Sequence, residues 1–361
     1  MPSHSAIARQ WKFPSPVIAA AINRSGSWLA ATLADGTAQL LPAHADTETP
    51  RALDLHNDKS GVSLSLQPDA DPQGFISGGD DGRVFLIDPV VATPTLLAEQ
   101  KGRWIDNVAT SESGYRAYSF GKQCIILNAE GEQVGNTKTL PSSIGGMAFS
   151  PNGKRLATSH YNGLTLWWVN AKDNEPTVLE WKGSHLGVVW SPDGKIVMTA
   201  MQESALHGWR LADLQEMRMQ GYAGKTHSME YTARGRYLVT SGADQVICWP
   251  FFGGGPWGKQ PLTLSGPDGG LAGGNLVSRV AAHPKDEMVA AGYENGMIIL
   301  APLDGRMEMM IHPPQPSSAK EKAGVTALLW NKAGDCLFAG LENGAFLLFT
   351  IDSVRKAVMH V

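Results

Sequence analysis

The sequence repeats one pattern of strand, turn and strand along its length, and this repeat restricts the possible folds more than any other feature. Two clear copies are 144–159 and 186–200, where an apolar run is followed by a polar turn and a second apolar run. The turn glycines Gly153, Gly194 and Gly235 lie 41 residues apart. A unit this small cannot bury its own apolar faces, so neighbouring copies must cover one another.

Weaker copies fill the rest of the 361 residues. The repeated units begin near residues 17, 60, 104, 144, 184, 226, 277 and 324. Several continue through an Asp-Gly or Asn-Gly pair, such as Asp35-Gly36 and Asn295-Gly296, into a third β-rich segment. These pairs favour tight hairpins because both central residues need positive φ. A more variable fourth segment follows, so each unit predicts one four-stranded antiparallel sheet.

The predicted fold is a single all-β domain over residues 1–361, a β-propeller of four-stranded antiparallel blades. Eight blades are favoured because eight units are counted. Seven blades are the alternative, which requires the weak unit at 104–128 to be discarded. Residues 5–13 include an alternating strand before the first unit, and we expect this strand to close the ring as the outer edge of the last blade. The segment Lys356–Val361 is a competing candidate for that edge.

Three segments carry a resemblance to a known family. Residues 149–158 read FSPNGKRLAT, residues 190–199 read WSPDGKIVMT, and residues 77–88 read SGGDDGRVFLID. They resemble the strand–turn–strand core and the following hairpin of WD40 repeats, with Ile87-Asp88 in place of the family's Trp-Asp pair. The family's Gly-His dipeptide is absent, so we expect its internal His–Ser/Thr–Asp–Trp network to be mostly lost. The resemblance covers nearly the whole chain and implies a scaffold that assembles other proteins on one propeller face.

Charge and cysteine content exclude several classes of protein. The chain has 30 Lys and Arg against 34 Asp and Glu, a net charge of −4, and no run of five basic residues. A reader of the nucleic-acid backbone needs a basic face, so no nucleic-acid partner is expected. The three cysteines form no CxxC pair, which argues against a disulfide framework and fits a cytoplasmic location. No run of 18 apolar residues occurs, so no membrane partner is expected.

The resemblance implies where a partner would bind. The loops before the first strand of each blade, and the turns between second and third strands, share one face of a propeller. Exposed aromatic and charged side chains in such loops are typical anchors for a protein or peptide partner. The candidate contact residues are Arg103, Trp104, His160, Tyr161, Met201, Gln202, Tyr293 and Leu341.

A metal site is the weaker interpretation of the same loops. His160, His185 and His227 come from consecutive units, and together with Asp244 they offer donor types that transition metals accept. Single loop histidines are more often solvated or hydrogen-bonded to backbone, so we predict no metal and no other cofactor. A second ambiguous feature is the Gly-rich insertion 250–258 with Phe251, Phe252 and Trp257. It is predicted to fold back on the propeller, with an exposed docking patch as the alternative.

Two functions remain open. The favoured one is a non-enzymatic WD40-type interaction scaffold. The alternative is a small-molecule- or metal-binding propeller, including a hydrolase or lactonase-like enzyme, that works at the central channel. Acids, His and Arg with shifted pKa values in the channel would favour the alternative. The predicted first strands near 19–22, 145–149 and 187–190 are mostly small or apolar, which favours the scaffold.

Overall fold

The computed structural model describes residues 6–44, 49–57, 61–135, 137–170, 175–264, 274–304, 308–315 and 322–359. The chain divides into two compact units. The first unit consists of residues 1–20, 43–47 and 221–361, and the second consists of residues 21–42 and 48–220. The strand Val17–Ile22 contains one boundary between them.

Nearly all regular structure is β. The strands of the N-terminal half are β1 (Ile7–Lys12), β2 (Val17–Ile22), β3 (Trp28–Leu33), β4 (Thr37–Pro42), β5 (Arg51–Asp54), β6 (Ser63–Pro68), β7 (Phe75–Gly79), β8 (Arg83–Asp88), β9 (Thr93–Glu99), β10 (Asn107–Thr110), β11 (Arg116–Phe120), β12 (Gln123–Leu127), β13 (Gln133–Val134), β14 (Gly146–Phe149) and β15 (Arg155–Trp168).

The remaining elements are fifteen strands and one helix. They are β16 (Thr177–Trp190), β17 (Ile196–Met201), β18 (Ala205–Arg210), β19 (Gln215–Met219), β20 (Met229–Tyr231), β21 (Tyr237–Thr240), β22 (Val246–Pro250), β23 (Leu262–Leu264), β24 (Val277–Ala282), β25 (Met288–Tyr293), β26 (Ile298–Pro302), β27 (Met309–His312), β28 (Val325–Trp330), β29 (Cys336–Leu341), β30 (Ala345–Thr350) and α1 (Ile351–Met359). No helix among the described residues has the length and apolar character needed to span a membrane.

The described strands form seven antiparallel sheets, the blades of an all-β propeller. Six sheets have four strands each, in the orders β2–β5, β6–β9, β10–β13, β20–β23, β24–β27 and β1-β30-β29-β28. The seventh sheet has six strands, β14 to β19. The favoured number of eight blades is therefore corrected to the alternative, seven, although the weak unit at 104–128 forms a sheet of its own.

The physical reason for the lower number lies in two long strands. β15 and β16 each have 14 residues. β15 pairs first with β14 through 156–159 and then with β16 through 161–166. β16 continues from that pairing into a second one, with β17, through 185–190. The sequence units that begin near 144 and 184 thus share one continuous sheet. One sequence repeat therefore does not correspond to one separate sheet there.

The first described strand, β1, and the helix α1 both contact the last sheet, in the first unit. β1 pairs with β30 from Ile7 opposite Phe349 to Lys12 opposite Ala345, so the N-terminal strand is the edge of the sheet β1-β30-β29-β28. The competing C-terminal segment does not form this edge, because residues 356–359 continue the helix α1 and residues 360–361 lie outside the described residues.

The core lies between neighbouring sheets. Middle strands such as β17 and β29 are buried along their whole length, whereas edge strands such as β9 are mostly exposed. In the first unit one apolar cluster joins Ile298 of β26 to Leu337 and Leu347 of the last sheet. In the second unit another cluster joins Ile126 of β12 to Trp167 of β15. A sheet covered on both faces needs apolar residues at every position of its middle strands.

Three glycines allow neighbouring sheets to approach closely. Each is the next-to-last residue of a middle strand, and a methyl group there would meet a β-branched side chain of the adjacent sheet or its loop. These positions are Gly78, Gly292 and Gly340, where an added Cβ would lie 2.5 Å from Ile105, Val325 and Val17, respectively. The recurrence of one contact in three sheets shows that it belongs to the repeat.

Candidate interaction surface

Four of the eight candidate contact residues are exposed, and all four belong to the second unit. They are Arg103, Trp104, Tyr161 and Gln202. The side chain of Trp104 is 64% exposed and that of Tyr161 is 52% exposed. Such exposure is uncommon for large aromatic residues without a partner, and aromatic residues with Arg are the usual anchors of protein interfaces.

Trp104 is presented by a short loop that is fixed on both sides. Gly102 has φ of +69°, which reverses the chain so that the Arg103 amide donates to the Gln100 carbonyl at 3.1 Å. The amide of Ile105 donates to the Gly79 carbonyl at 2.9 Å, and the Ile105 side chain is fully buried. The loop backbone is thus held by two hydrogen bonds, while the indole between them is left in solvent.

Tyr161 stands on a tight turn within β15. The Tyr161 amide donates to Ser142 Oγ at 2.8 Å, and Asn162 adopts φ of +67°. His160 is turned inward and is buried, with Nε2 at 2.9 Å from Thr165 Oγ1 and Nδ1 at 2.9 Å from the Tyr161 carbonyl oxygen. His160 therefore offers no exposed side chain to a partner, because its two ring nitrogens hold the turn that displays Tyr161.

Hydrogen bonds connect these loops into one surface. The Asp106 carboxylate accepts from the Gly121 amide at 3.3 Å, and the Ile144 amide donates to the Gly121 carbonyl at 2.9 Å. Farther along, the Gln202 amide donates to the Ser184 carbonyl at 2.9 Å. We call the exposed side formed by residues 100–106, 121–122, 141–144, 161–162, 182–184 and 202–203 the loop surface.

The loop surface carries an excess of positive charge. Its exposed basic residues are Lys101, Arg103, Lys122 and Lys182. Two acids oppose them. Partial burial raises the pKa of the Asp106 carboxyl, and the Glu203 carboxylate accepts the Ser184 amide at 3.0 Å. The surface is therefore locally basic although the whole chain has a net charge of −4.

Three further candidates are core residues. Met201 and Leu341 are each 1% exposed and Tyr293 is fully buried. Tyr293 packs in an apolar cluster with Val277 of β24, and Leu341 packs in another cluster of the first unit. All three are the last residues of middle strands, whose side chains point between sheets rather than outward. None of the three therefore offers an exposed side chain to a partner.

The four candidate metal ligands do not form a ligand set. His185 is buried, with Nδ1 at 2.7 Å from Thr199 Oγ1 and Nε2 at 2.9 Å from the Trp181 carbonyl oxygen, and burial lowers its pKa. His160 is similarly occupied, whereas His227 and Asp244 are exposed side chains of the first unit. Across the described part of the chain, no group of three or more His, Cys, Asp or Glu side chains is placed to hold a metal ion.

One internal network was missed from the sequence. His56 Nδ1 lies 3.0 Å from Asp81 Oδ1, and His56 Nε2 lies 3.0 Å from Ser77 Oγ. The Phe85 ring packs against the imidazole at 5.2 Å. The expected loss of a His–Ser–Asp network does not hold in this sheet. The signal was present in Leu55-His56 and Asp81, but His56 does not follow a glycine and was therefore not recognised.

A related arrangement in the first unit replaces histidine by tyrosine. The Tyr222 hydroxyl lies 2.7 Å from Thr240 Oγ1 and accepts from Trp249 Nε1 at 2.7 Å. Burial raises the pKa of Tyr222 to about 12, so its hydroxyl stays neutral. These buried polar groups are satisfied by each other, which fixes the turn and the middle strands of each sheet.

The first strands of two successive sheets in the first unit, β20 and β24, each carry a charged residue. The Ala282 amide donates to Glu230 Oε2 at 3.0 Å, and Arg279 Nε donates to the Thr326 carbonyl at 2.7 Å. The Glu230 side chain is accessible, yet the protein packed around it raises its pKa to about 7. Burial also lowers the pKa of Arg279. Glu230 and Ala282 line a small cavity of about 200 Å³.

Comparisons with known proteins support the fold. No protein-family model matches the chain, and no curated protein matches it. Among solved structures, the chain is similar to the crystal structure of the computationally designed Ika8 protein, with a TM-score of 0.70 and 16% sequence identity. The match covers 94% of this chain and 98% of that chain. At this identity the likeness shows the β-propeller fold alone.

Proposed function

We propose that this chain is a non-enzymatic WD40-type scaffold and that its loop surface binds a protein or peptide partner. The observation that carries the proposal is Trp104, a largely exposed indole on a loop whose backbone is already fixed. A pre-organised anchor loses little conformational entropy when it is buried in an interface, so more of its contact energy contributes to affinity. Tyr161 supplies a second anchor in the same unit.

The charge of the loop surface favours an acidic partner. Lys101 and Arg103 flank Trp104, and Lys122 and Lys182 extend the basic character towards Tyr161 and Gln202. A segment with an apolar side chain between acidic ones would bury the indole and place its carboxylates near these cations. Charged groups at an interface rim mainly raise the association rate, and salt screens them. Binding is therefore expected to weaken as ionic strength rises.

The proposal is tested by quantitative capture of proteins with the purified chain, followed by titration of the captured partner. The variant W104A/Y161A removes both anchors, and we expect its affinity to fall by about 30-fold or more, the size of a hot-spot loss. The matched control is V90A/V91A, which truncates two exposed apolar side chains, 66% and 64% exposed, outside the loop surface.

The outcome depends on the difference between these two variants. Loss of the partner with W104A/Y161A and retention with V90A/V91A would support binding at the loop surface. Weaker binding of R103E, with a smaller dependence on salt, would support the acidic partner. Equal capture by the wild type and W104A/Y161A would refute the proposal, provided that the variant unfolds at the same urea concentration as the wild type.

A second candidate function is small-molecule binding at the first strands of the propeller. Glu230, with a pKa of about 7, and the half-buried Arg279, with a lowered pKa, are the kind of residues that favour it. The cavity beside Glu230 has about 200 Å³, whereas sites for drug-sized ligands usually have about 300–1,000 Å³. Because the cavity is smaller than this usual range, the scaffold remains the preferred function. A small ligand whose affinity changes in E230Q but not in W104A/Y161A would reverse the preference.

A further inference from the structure

One recess is lined entirely by residues of the first unit. It has a volume of about 780 Å³, which is within the usual range for ligand sites. The turn between β20 and β21 contributes one wall, the turn between β24 and β25 contributes another, and α1 borders the cavity through Ile351 and Val354. Met288 and Leu300 supply further apolar lining.

Glu287 is the unusual residue of this cavity. Both of its carboxylate oxygens are buried, and neither accepts a hydrogen bond from a described residue. Its neighbour Asp286 differs, because its Oδ2 lies 3.6 Å from His283 Nδ1. A buried carboxylate without a donor loses its hydration and gains nothing in return, so such groups in proteins are normally paired. The chemistry that would satisfy Glu287 is an ammonium or guanidinium group with several N–H donors.

Three arginines of the same cavity lack anionic partners. Arg234, Arg236 and Arg355 line it, and none makes an ion pair within the described part of the chain. The guanidinium of Arg236 is held over the Phe252 ring at 5.3 Å. The Phe252 ring, which belongs to the Gly-rich insertion 250–258, also packs edge-on against Tyr237 at 5.7 Å and is 43% exposed. Guanidinium groups fixed in this way match carboxylates through paired N–H donors.

We propose that this cavity binds a zwitterion of amino-acid chemistry, with a primary ammonium, a carboxylate and an apolar body. Glu287 accepts the ammonium, one or more of the arginines bind the carboxylate, and the apolar walls cover the side chains. Either a free apolar amino acid or a short apolar peptide has this chemistry. The experiment therefore includes both sources.

The test is calorimetric titration of the full chain with L-leucine, dileucine and trileucine at up to 10 mM. We expect one of them to bind, and we expect E287Q and R236Q each to weaken that binding at least tenfold. The control variant is R155Q, which removes another guanidinium held over an aromatic ring, that of Trp168 at 4.3 Å in the second unit. It should leave the affinity unchanged. Binding of leucine alone identifies a free amino acid, and binding of the peptides alone identifies a peptide.

Capped ligands assign each charge to its residue. The N-acetylated ligand lacks the ammonium, so it should bind at least tenfold more weakly, and E287Q should cause no further loss. The C-terminal amide lacks the carboxylate, so R236Q should cause no further loss for it. Absence of binding by all three ligands, or equal binding of the N-acetylated form, would overturn the proposal. If E287Q does not fold, E287D is the substitute. It keeps the negative charge on a shorter side chain, so the carboxylate lies farther from the ligand, and the same tenfold loss of affinity is expected.

Discussion

Asp69 and Arg116 form a buried ion pair in the second unit. Arg116 Nε donates to Asp69 Oδ1 at 2.7 Å, and its Nη2 donates to Asp69 Oδ2 at 2.7 Å. A third guanidinium nitrogen donates to the Ala129 carbonyl at 3.0 Å. The hydrogen bonds from Arg116 to Asp69 raise the pKa of the guanidinium. Both groups are almost excluded from solvent, so each depends on the other for its hydrogen bonds.

This pair gives a prediction at the residue scale. D69N should lower the free energy of unfolding by about 3–5 kcal/mol, because it leaves the Arg116 charge buried without a counter-charge. The measurement is equilibrium unfolding in urea at pH 7. The control is D71N, which changes an exposed aspartate two residues away and should cost less than about 1 kcal/mol. Equal losses in the two variants would contradict the account.

Residue-scale prediction from the sequence succeeded where backbone position alone decides exposure. Trp104 lies in a loop two residues after Gly102 and is exposed, as expected. Prediction from the sequence failed where exposure depends on which way a side chain points. His160 and Tyr161 are adjacent, yet the imidazole is 3% exposed and the phenol 52%. Likewise, the carboxylate of Glu287 is buried although it lies in a polar turn. That burial depends on non-local packing, which no local pattern records.

At the element scale, the repeated glycine contact shows why neighbouring sheets lie so close. Gly292 of β25 faces Val325 of β28 without a side chain between them. Its φ is not in the left-handed region, so the requirement for glycine is steric and not conformational. The sequence pattern predicted the strands and turns, which depend on local residues. It did not predict that β15 and β16 run on into shared pairings, because continuity between repeats depends on hydrogen bonds across the sheet.

The glycine contact can be tested with a double-mutant cycle. G292A should destabilise the chain by about 1–3 kcal/mol, the usual cost of overpacking, because the new methyl group overlaps Val325. V325A alone should also destabilise by removing buried methyl groups. In G292A/V325A the two changes compensate, so the loss should be smaller than the sum of the single losses by at least about 1 kcal/mol. Additive losses in urea unfolding would show that the two residues do not meet.

At the scale of the whole molecule, stability should depend on pH through its buried histidines. Burial is the largest cause that lowers the pKa of His56, His185, His207 and His312. His207 is the extreme case, with a pKa of about 3 and neither ring nitrogen hydrogen-bonded within the described chain. It packs between Trp181 at 4.1 Å and Trp209 at 4.4 Å. Glu230 acts in the opposite sense, because its pKa is raised to about 7.

The sign of each effect follows from which state binds more protons. Below pH 6.5 the unfolded chain protonates histidines that stay neutral in the folded chain, so stability is lost as pH falls from 6.5 towards each lowered pKa. Each such histidine contributes at most about 1.4 kcal/mol per pH unit. Glu230 is protonated in the folded chain but ionised in the unfolded chain between pH 4.5 and 7, so its contribution falls as pH rises through that range. Glu230 is accessible to solvent, so screening reduces its effect on stability. The four histidines should therefore dominate the dependence of stability on pH.

Urea unfolding of the wild type at pH 8, 7, 6 and 5 should therefore show a steep decrease in stability below pH 6.5. H207F keeps an aromatic ring between the two tryptophans but cannot be protonated, so its stability should fall less steeply, by up to about 1.4 kcal/mol per pH unit. E230Q should be more stable than the wild type at pH 8 and nearly equal to it at pH 5. Parallel profiles for H207F and the wild type would mean that His207 is protonated equally in the folded and unfolded chains, and that its burial has no part in acid unfolding.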